Sequence, residues 1–298
     1  SLYFQGEPLM HQQFVEFVRL ASERGIYTQT STNGQFLTGE VCRELVQVGL
    51  DRIIISVDGP DQESYEQYRR GGDFKKVTTG IINLVKMRNE LNSHRPLIIL
   101  QFLVFKHNEH QLAEVNKMAD QLGADRVWIK TAQIEYPGTA GKWIPDNPAY
   151  ARYQKTNSGK GNPTRGKDRN GSEESTERIT ESKVGEHSGI GHIQEEWTMK
   201  GKLMNRCKRL WQTTVVCSDG LIVPCCFDKR ANHPMGNSRD NSLAEIWKSK
   251  TYQEFRMQVL RDRKSIDICG NCSEGTILSS RPFPWHPRPY QFSQYRSR

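Results

Sequence analysis

Cys207-Lys208-Arg209-Leu210-Trp211-Gln212-Thr213-Thr214-Val215-Val216-Cys217-Ser218-Asp219-Gly220-Leu221-Ile222-Val223-Pro224-Cys225-Cys226 is the stretch on which the reading turns, and Cys269-Gly270-Asn271-Cys272 answers it downstream. Twelve residues separate Cys207 from Gly220, and four more separate Gly220 from Cys225. A Cys-x-x-Cys pair sets two sulfurs on one tight turn, where both face the same ion or cluster, so metal is a better first reading than disulfides. The expected ligands are Cys207, Cys225, Cys269 and Cys272. Four thiolates hold tetrahedral zinc as readily as an iron–sulfur cluster, and spacing alone does not separate the two. Ser218-Asp219-Gly220, between residues 213–216 and 221–223, is a hairpin signal that carries Cys225 to a strand end. Neighbouring Cys226 then points the other way and reads as packing or reserve. Cys217, close to the turn, stays open as an alternative ligand.

Upstream the pattern changes from cysteines to alternation. Residues 11–24 have apolar side chains at helical spacing (Phe14, Phe17, Val18, Ala21), and residues 26–30 read as a strand. Thr38 caps a helix running to Gly49, and residues 52–57 form a β-branched strand. A short helix at 63–68 and a longer one at 74–91 precede a strand at 97–104. Asn108 is placed to start a helix reaching Leu122, and 127–130 is the next strand. Residues 2–4 read as a further buried strand, although 2–6 also resembles the remnant of a cleavable expression tag; the native strand is favoured because Glu7-Pro8-Leu9 follows directly. Five strands alternating with helices imply a parallel sheet, with chemistry at the C-terminal strand ends. Those ends carry Gly6-Glu7, Ser31-Thr32-Asn33, Ser56 with Asp58, and Asn108. Hydroxyls, amides and carboxylates suit a ligand with ribose hydroxyls and an amino acid head. Each is also an ordinary turn residue.

Cys207, Gly220 and Cys225 fit C-x(9 to 15)-G-x4-C, and with them the chain resembles the C-terminal auxiliary-cluster module of radical S-adenosylmethionine enzymes, called SPASM in full form and twitch in its shorter form. Nothing after Cys272 supplies the further C-x5-C-x3-C of the full form, so the single-cluster form fits better. The strand ends are similar to the same family's barrel in the same order. Gln5-Gly6-Glu7-Pro8 stands for Gly-Gly-Glu-Pro, Ser31-Thr32-Asn33-Gly34 for Thr-Thr-Asn-Gly, and Ser56 to Gly59 for Ser-x-Asp-Gly. Arg69 is the match for the arginine near the cofactor's carboxylate, where a bidentate pair explains arginine rather than lysine. The resemblance implies an α/β fold: a partial (β/α) radical-SAM barrel missing its first strand, followed by a small α+β cysteine-rich SPASM/twitch domain. It implies S-adenosylmethionine at Gly6, Glu7, Thr32, Asn33, Ser56, Asp58 and Arg69, and a 4Fe-4S auxiliary cluster on the four cysteines. It also implies a 5′-deoxyadenosyl radical acting on a peptide, protein or small-molecule substrate, and an electron donor such as flavodoxin or ferredoxin. The family's C-x3-C-x2-C loop, which holds the second 4Fe-4S cluster, is absent; Cys42 alone precedes Cys207, on the apolar face of a helix where a core thiol is expected. The expectation is that this loop lies on a missing N-terminal segment, or that the protein never performs the cleavage. The competing class is a non-catalytic binding or scaffold protein with a structural zinc or iron–sulfur site.

The domain expectation is a partial barrel at 1–135, a connector at 136–154, a disordered insertion at 155–196, the cluster domain at 197–275 and a tail at 276–298. Trp143, Tyr150 and Tyr153 of the connector are expected beneath the cluster domain. In residues 155–196 the large apolar residues are Ile179, Val184, Ile190 and Ile193, too few to offset the entropy of ordering. Lys130 and Gln133 stand near a strand end where substrate would lie. The net charge of +8 admits an anionic partner, but no arginine-rich helix or stacking motif raises nucleic acid above a minor reading. No run of eighteen apolar residues and no signal peptide appear, and seven cysteines without a secretory signal suit a reducing cytoplasm.

Overall fold

A computed structural model describes residues 1–133, 141–155, 197–272, 274 and 276–277. The first region is built on four parallel strands in the order β1 (Gln29–Thr32), β2 (Arg52–Ser56), β3 (Leu97–Val104) and β4 (Arg126–Thr131). Their β-branched run, Ile53-Ile54-Ile55, and the matching Ile98-Ile99-Leu100 favour a pleated, buried surface. Alternation assigns the faces. Ile53, Ile55, Val57, Ile98 and Leu100 join one core with residues of α1 (Phe14–Glu23), α2 (Gly39–Gln47) and α4 (Phe74–Glu90). Phe102 and Val104 pack with Val115 of α5 (Leu112–Leu122). The opposite, open face carries Arg52, Ser56, Gln101, Trp128 and Lys130. Ser56 pairs with Gln101 and Gln101 with Trp128 in register, so the three form a row across it.

Local signals start the helices. Thr38 accepts from Val41 N at 3.2 Å, Asp61 from Ser64 N at 2.8 Å before α3 (Gln62–Tyr68), and Asp73 from Lys76 N at 3.0 Å before α4. Each such cap is worth about 1 kcal/mol. Packing of α4 on the loop before α2 is close enough that a Cβ at Gly80 would meet the Leu37 Cβ at 2.6 Å.

Three expectations need correction. Residues 2–4 are not a strand: Leu2 N donates to the Gln29 carbonyl at 2.7 Å, but the Leu2 carbonyl is taken by the Thr30 hydroxyl at 3.2 Å instead of a backbone amide, so no ladder propagates. The sheet therefore has four strands. Asn108 does not cap a helix; its side chain turns inward, and a 3₁₀ turn at Glu109–Gln111 precedes α5. Trp143 packs edge-on against Phe105 at the end of β3, Tyr150 joins the β3–α5 core, and Tyr153 packs with Ile144, so these aromatics brace the sheet and the connector itself. The expected disordered insertion falls, apart from Lys155, outside the described residues.

Beyond it, β5 (Tyr153–Lys155) pairs antiparallel with β6 (Trp197–Met199), and β7 (Lys202–Leu203) with the late β11 (Thr276–Ile277). The cysteine-rich part is a three-stranded antiparallel sheet of β8 (Val215–Val216), β9 (Leu221–Val223) and β10 (Gly236–Asn237), with Gly220 at φ +87° in the hairpin turn. Ser242 and Glu245 form a reciprocal capping box at α6 (Leu243–Lys248), which leads into α7 (Lys250–Asp262) and the short α8 (Asp267–Gly270). Ile246, Tyr252, Phe255 and Val259 make its core together with Cys207 and Cys269.

Candidate active site and cluster centre

Glu7 organises the loop after β1. One carboxylate oxygen accepts from Leu9 N at 3.1 Å and the Thr32 hydroxyl at 2.7 Å; the other accepts from Asn33 N at 2.7 Å. A carboxylate offers about four acceptor sites, so one remains for a ligand. Gly6, at φ +77°, has nothing within 4 Å of where a side chain would stand, leaving its backbone open to approach. Gly6, Glu7, Thr32 and Asn33 are thus brought together. Ser56 is buried at the end of β2, in the row with Gln101 and Trp128.

Asp58 and Arg69 behave differently. Asp58 is 0% exposed; one oxygen accepts from Arg69 Nε at 2.6 Å and the other from Leu103 N at 2.8 Å. Burial pushes its carboxyl above the usual range, against the opposing pull of Arg69 and the Leu103 amide. Asn108, fully buried, donates from Nδ2 to the carbonyls of Asp58 and Leu103 and accepts from Phe105 N, clamping the ends of β2 and β3. Asp58 therefore reaches a ligand only through Arg69, whose side chain is 25% exposed.

The four expected cysteines come from separate elements. Cys207 opens a 3₁₀ turn, Cys225 follows β9, Cys269 lies in α8 and Cys272 just after it. All are buried, between 4% and 8% exposed. Cys225 lies within electrostatic reach of Cys269 and Cys272, and Cys207 within reach of the same two. Burial pushes the Cys225 thiol up to about 12 and the Cys269 thiol up to about 11, the latter against the opposing pull of the Arg263 guanidinium. Among the described residues no three His, Cys, Asp or Glu side chains converge tightly enough to hold a single metal ion. Cys217 is half-buried near Asp219 and Asp228, and Cys226 faces Arg209, whose Nη1 lies 3.7 Å from its sulfur, on the side of Tyr3 and Lys130.

Arg263 tests whether these residues fit a cluster. It is 0% exposed and sits beside Cys269 and Cys272. Nη1 donates to the Arg206 carbonyl at 2.8 Å; Nε and Nη2 are buried with no partner at full hydrogen-bonding geometry, and the group the guanidinium acts on at close range is the Cys269 thiol. A buried guanidinium with idle donors is costly unless an anion meets it. A four-thiolate 4Fe-4S centre is such an anion and accepts N–H bonds at its sulfurs, so the residues fit the group. No sequence signal marks Arg263, which lies in the polar run Arg261-Asp262-Arg263-Lys264.

The two sites share one end of the molecule. Gln5 Nε2 donates to the Lys229 carbonyl at 3.0 Å, and Gln133 Nε2 to the Asn271 carbonyl at 2.9 Å, so the cysteine module rests over the C-terminal strand ends. Gln133, expected near substrate, is a clasp to the loop between Cys269 and Cys272.

Residues 2–119 match the Radical SAM superfamily, and residues 207–273 match SPASM, an iron–sulfur cluster-binding domain. The tungsten-containing aldehyde ferredoxin oxidoreductase cofactor-modifying protein of Pyrococcus furiosus is 28% identical over 91% of this chain and 73% of its own length. PqqA peptide cyclase of Bradyrhizobium diazoefficiens is 31% identical over 46% of this chain, and AdoMet-dependent heme synthase of Methanosarcina barkeri 28% over 40%; the aligned parts span 34% and 32% of those proteins. Among solved structures, Streptococcus suis SuiB bound to precursor peptide SuiA superposes with TM-score 0.53 at 12% identity, over 84% of this chain and 54% of that one. The anSMEcpe structure with bound AdoMet and Cp18Cys peptide gives TM-score 0.50 at 13% identity, over 89% and 72%. At such identities the likeness is one of fold. The two matches stand in this order along the chain, a Radical SAM region followed by a SPASM iron–sulfur cluster-binding domain.

Proposed function

We propose that this chain serves a radical S-adenosylmethionine enzyme that modifies a peptide, protein or small-molecule substrate. S-adenosylmethionine would lie across Gly6, Glu7, Thr32, Asn33 and Ser56, its carboxylate facing Arg69, which Asp58 holds in place. The auxiliary 4Fe-4S cluster would be held by Cys207, Cys225, Cys269 and Cys272, with Arg263 beside it. Given one electron from a reduced 4Fe-4S cluster on a C-x3-C-x2-C loop that is not among these residues, bound S-adenosylmethionine would break into methionine and a 5′-deoxyadenosyl radical able to abstract substrate hydrogen. The auxiliary cluster would be a nearby acceptor for the electron left behind. The chain's own part is to position them. The observation that supports this reading is the docking of the thiol module at the strand ends through Gln5 and Gln133, which brings the cysteine-bearing loops to the same end of the sheet as Glu7 and Thr32.

The reading extends to a reducing cytoplasm, an electron donor such as flavodoxin or ferredoxin, and domains at 1–135 and 197–275 about the connector. No helix among the described residues is long and apolar enough to cross a membrane. Relatives named for modifying a cofactor, cyclising a peptide and synthesising heme support radical modification as the chemistry without choosing the substrate. Anaerobic purification with iron, sulfide and zinc analysis, followed by calorimetric titration with S-adenosylmethionine, tests it. About four irons and four sulfides per chain, with binding lost in Glu7→Ala and Ser56→Ala, is the expected result. One zinc, no colour and no binding would leave a structural module instead.

A further inference from the structure

The open face of the sheet does not end in neutral groups. Lys130, one residue from the end of β4, stands opposite Leu103 on that face, just past the Ser56–Gln101–Trp128 row. Its ammonium lies 5.5 Å from the centre of the Trp128 ring and is half-buried. The charged and ionisable groups that surround it are Arg152, Arg209 and Cys226. Arg152 is oriented by a bond from its Nε to the Thr131 hydroxyl, and Arg209 by Glu274 at 2.9 Å and by the Cys226 sulfur. Glu274 answers Arg209 and acts on Arg152 as well, while among the described residues no carboxylate lies within ion-pair distance of Lys130. Three cations from β4, the connector and the cluster module converge where the two regions meet.

Within this group, the charge of Lys130 opposes folding. Burial and like charge both disfavour an ammonium there, and both depress the Lys130 pKa. A solvated surface lysine would instead extend into water and bury only its stem. An anion delivered with the substrate removes the penalty and is itself oriented by a point charge on one side and a fixed guanidinium on the other.

We infer that Lys130 and Arg209, with Arg152 beside them, form a subsite for an anionic group of the substrate, a carboxylate or a phosphate. This rests on the functional reading above and narrows its substrate class: the molecule modified presents a negative group toward the SPASM module while its reacting carbon faces the strand ends. Cys226, facing the same space, is a contact for that group and not a cluster ligand.

The test uses the full chain, loaded with iron and sulfide, and an amine-reactive reagent whose labelling of Lys130 and of exposed Lys86 is followed by peptide mass spectrometry. Inorganic phosphate and glutarate are the probes, with chloride keeping ionic strength constant. One of them should slow Lys130 labelling saturably, about tenfold at ten times its half-saturating concentration, and leave Lys86 unchanged. Which one protects distinguishes a phosphate source from a carboxylate source. Arg209→Gln should abolish the protection, and Arg152→Gln, on a different element, repeats the test should the first variant lose its iron. Absence of saturable protection by either probe, or equal slowing at Lys86, overturns the subsite. Iron content and S-adenosylmethionine binding are read on the same sample: protection without them leaves the anion site standing and removes the radical reading, whereas their presence without protection does the reverse.

Discussion

The sheet region satisfies the polar groups of its expected ligand site, with Arg52 Nε and His107 Nε2 its unmet buried nitrogens among the described residues, whereas the cysteine module leaves such atoms beside its thiols. At the strand ends, Glu7 takes three hydrogen bonds from its own chain, Asp58 takes Arg69 and the Leu103 amide, and Asn108 uses both ends of its amide. In the module, burial raises the thiol pKa values of Cys225, Cys269 and Cys272, and Arg263 keeps Nε and Nη2 buried without partners. The first arrangement holds its geometry before any ligand arrives, which is what positioning a cofactor requires. The second is complete only with an anionic centre in place, so its folding is coupled to metal.

The strongest break in that contrast is removal of the metal. In hydrogen exchange, chelation or Cys269→Ala should release α6, α7 and the β8–β10 sheet toward unprotected rates while β1–β4 keep their protection. Equal protection of both regions without iron would mean that the module folds by its apolar core alone. Next in size is Arg69→Met, which leaves the Asp58 carboxylate buried and unpaired; removing one partner of a buried pair costs about 3 kcal/mol or more. The sign with pH follows from Asp58. Its folded pKa already lies above the ordinary 3.8, so its contribution favours the folded state below 3.8 and is lost as pH rises through the folded value. Without Arg69 that folded value rises further. Urea unfolding should therefore show a large Arg69→Met deficit at neutral pH that shrinks on mild acidification, and Asp58→Asn should show a smaller, flatter one.

Arg263→Met probes the other side of the comparison. Losing charge-assisted N–H donation to a buried anion costs about 2 kcal/mol. In the loaded protein this should appear as a more negative midpoint potential in an EPR-monitored redox titration, since the reduced cluster carries the larger negative charge; a tenfold change in the one-electron equilibrium is 59 mV. In the unloaded protein the same substitution should be neutral or stabilising, because it removes an unmet cation. A variant destabilised equally with and without iron would assign Arg263 to ordinary packing.

What the chain disclosed beforehand follows the same division. Alternating periodicities placed the helices and the central strands, and the cysteine spacing pointed to four thiols that are each buried in the structure. Pairings that close over long separations were not legible. Asp58 and Arg69 were both expected to face a ligand, since spacing puts each at the site but cannot say that one consumes the other. Arg263 lies among four charged residues and resembles a solvated face; only the return of residues 204–206, whose carbonyls it meets, buries it. Residues 2–4 have strand composition, yet the Thr30 hydroxyl takes the carbonyl a ladder needs.

The smallest expected effect sharpens the comparison most. Glu7→Gln keeps the shape of the carboxylate and one acceptor oxygen, so the bonds from Leu9 N and the Thr32 hydroxyl can persist while the Asn33 amide faces an NH₂. Losing one charge-assisted bond at a half-buried site costs about 1 kcal/mol of stability. If Glu7 only buttresses the loop, S-adenosylmethionine binding should weaken no more than that small shift explains, about fivefold. If the one remaining acceptor site receives the ligand's ammonium group, the loss is several-fold greater than the stability change accounts for, because the ammonium then meets an amide instead of an anion. Calorimetric titration beside urea unfolding of the same Glu7→Gln protein separates the two. A disproportionate loss of affinity is the expected result, since three of the carboxylate's roughly four acceptor positions are filled by the chain and the fourth lies next to the bare backbone of Gly6.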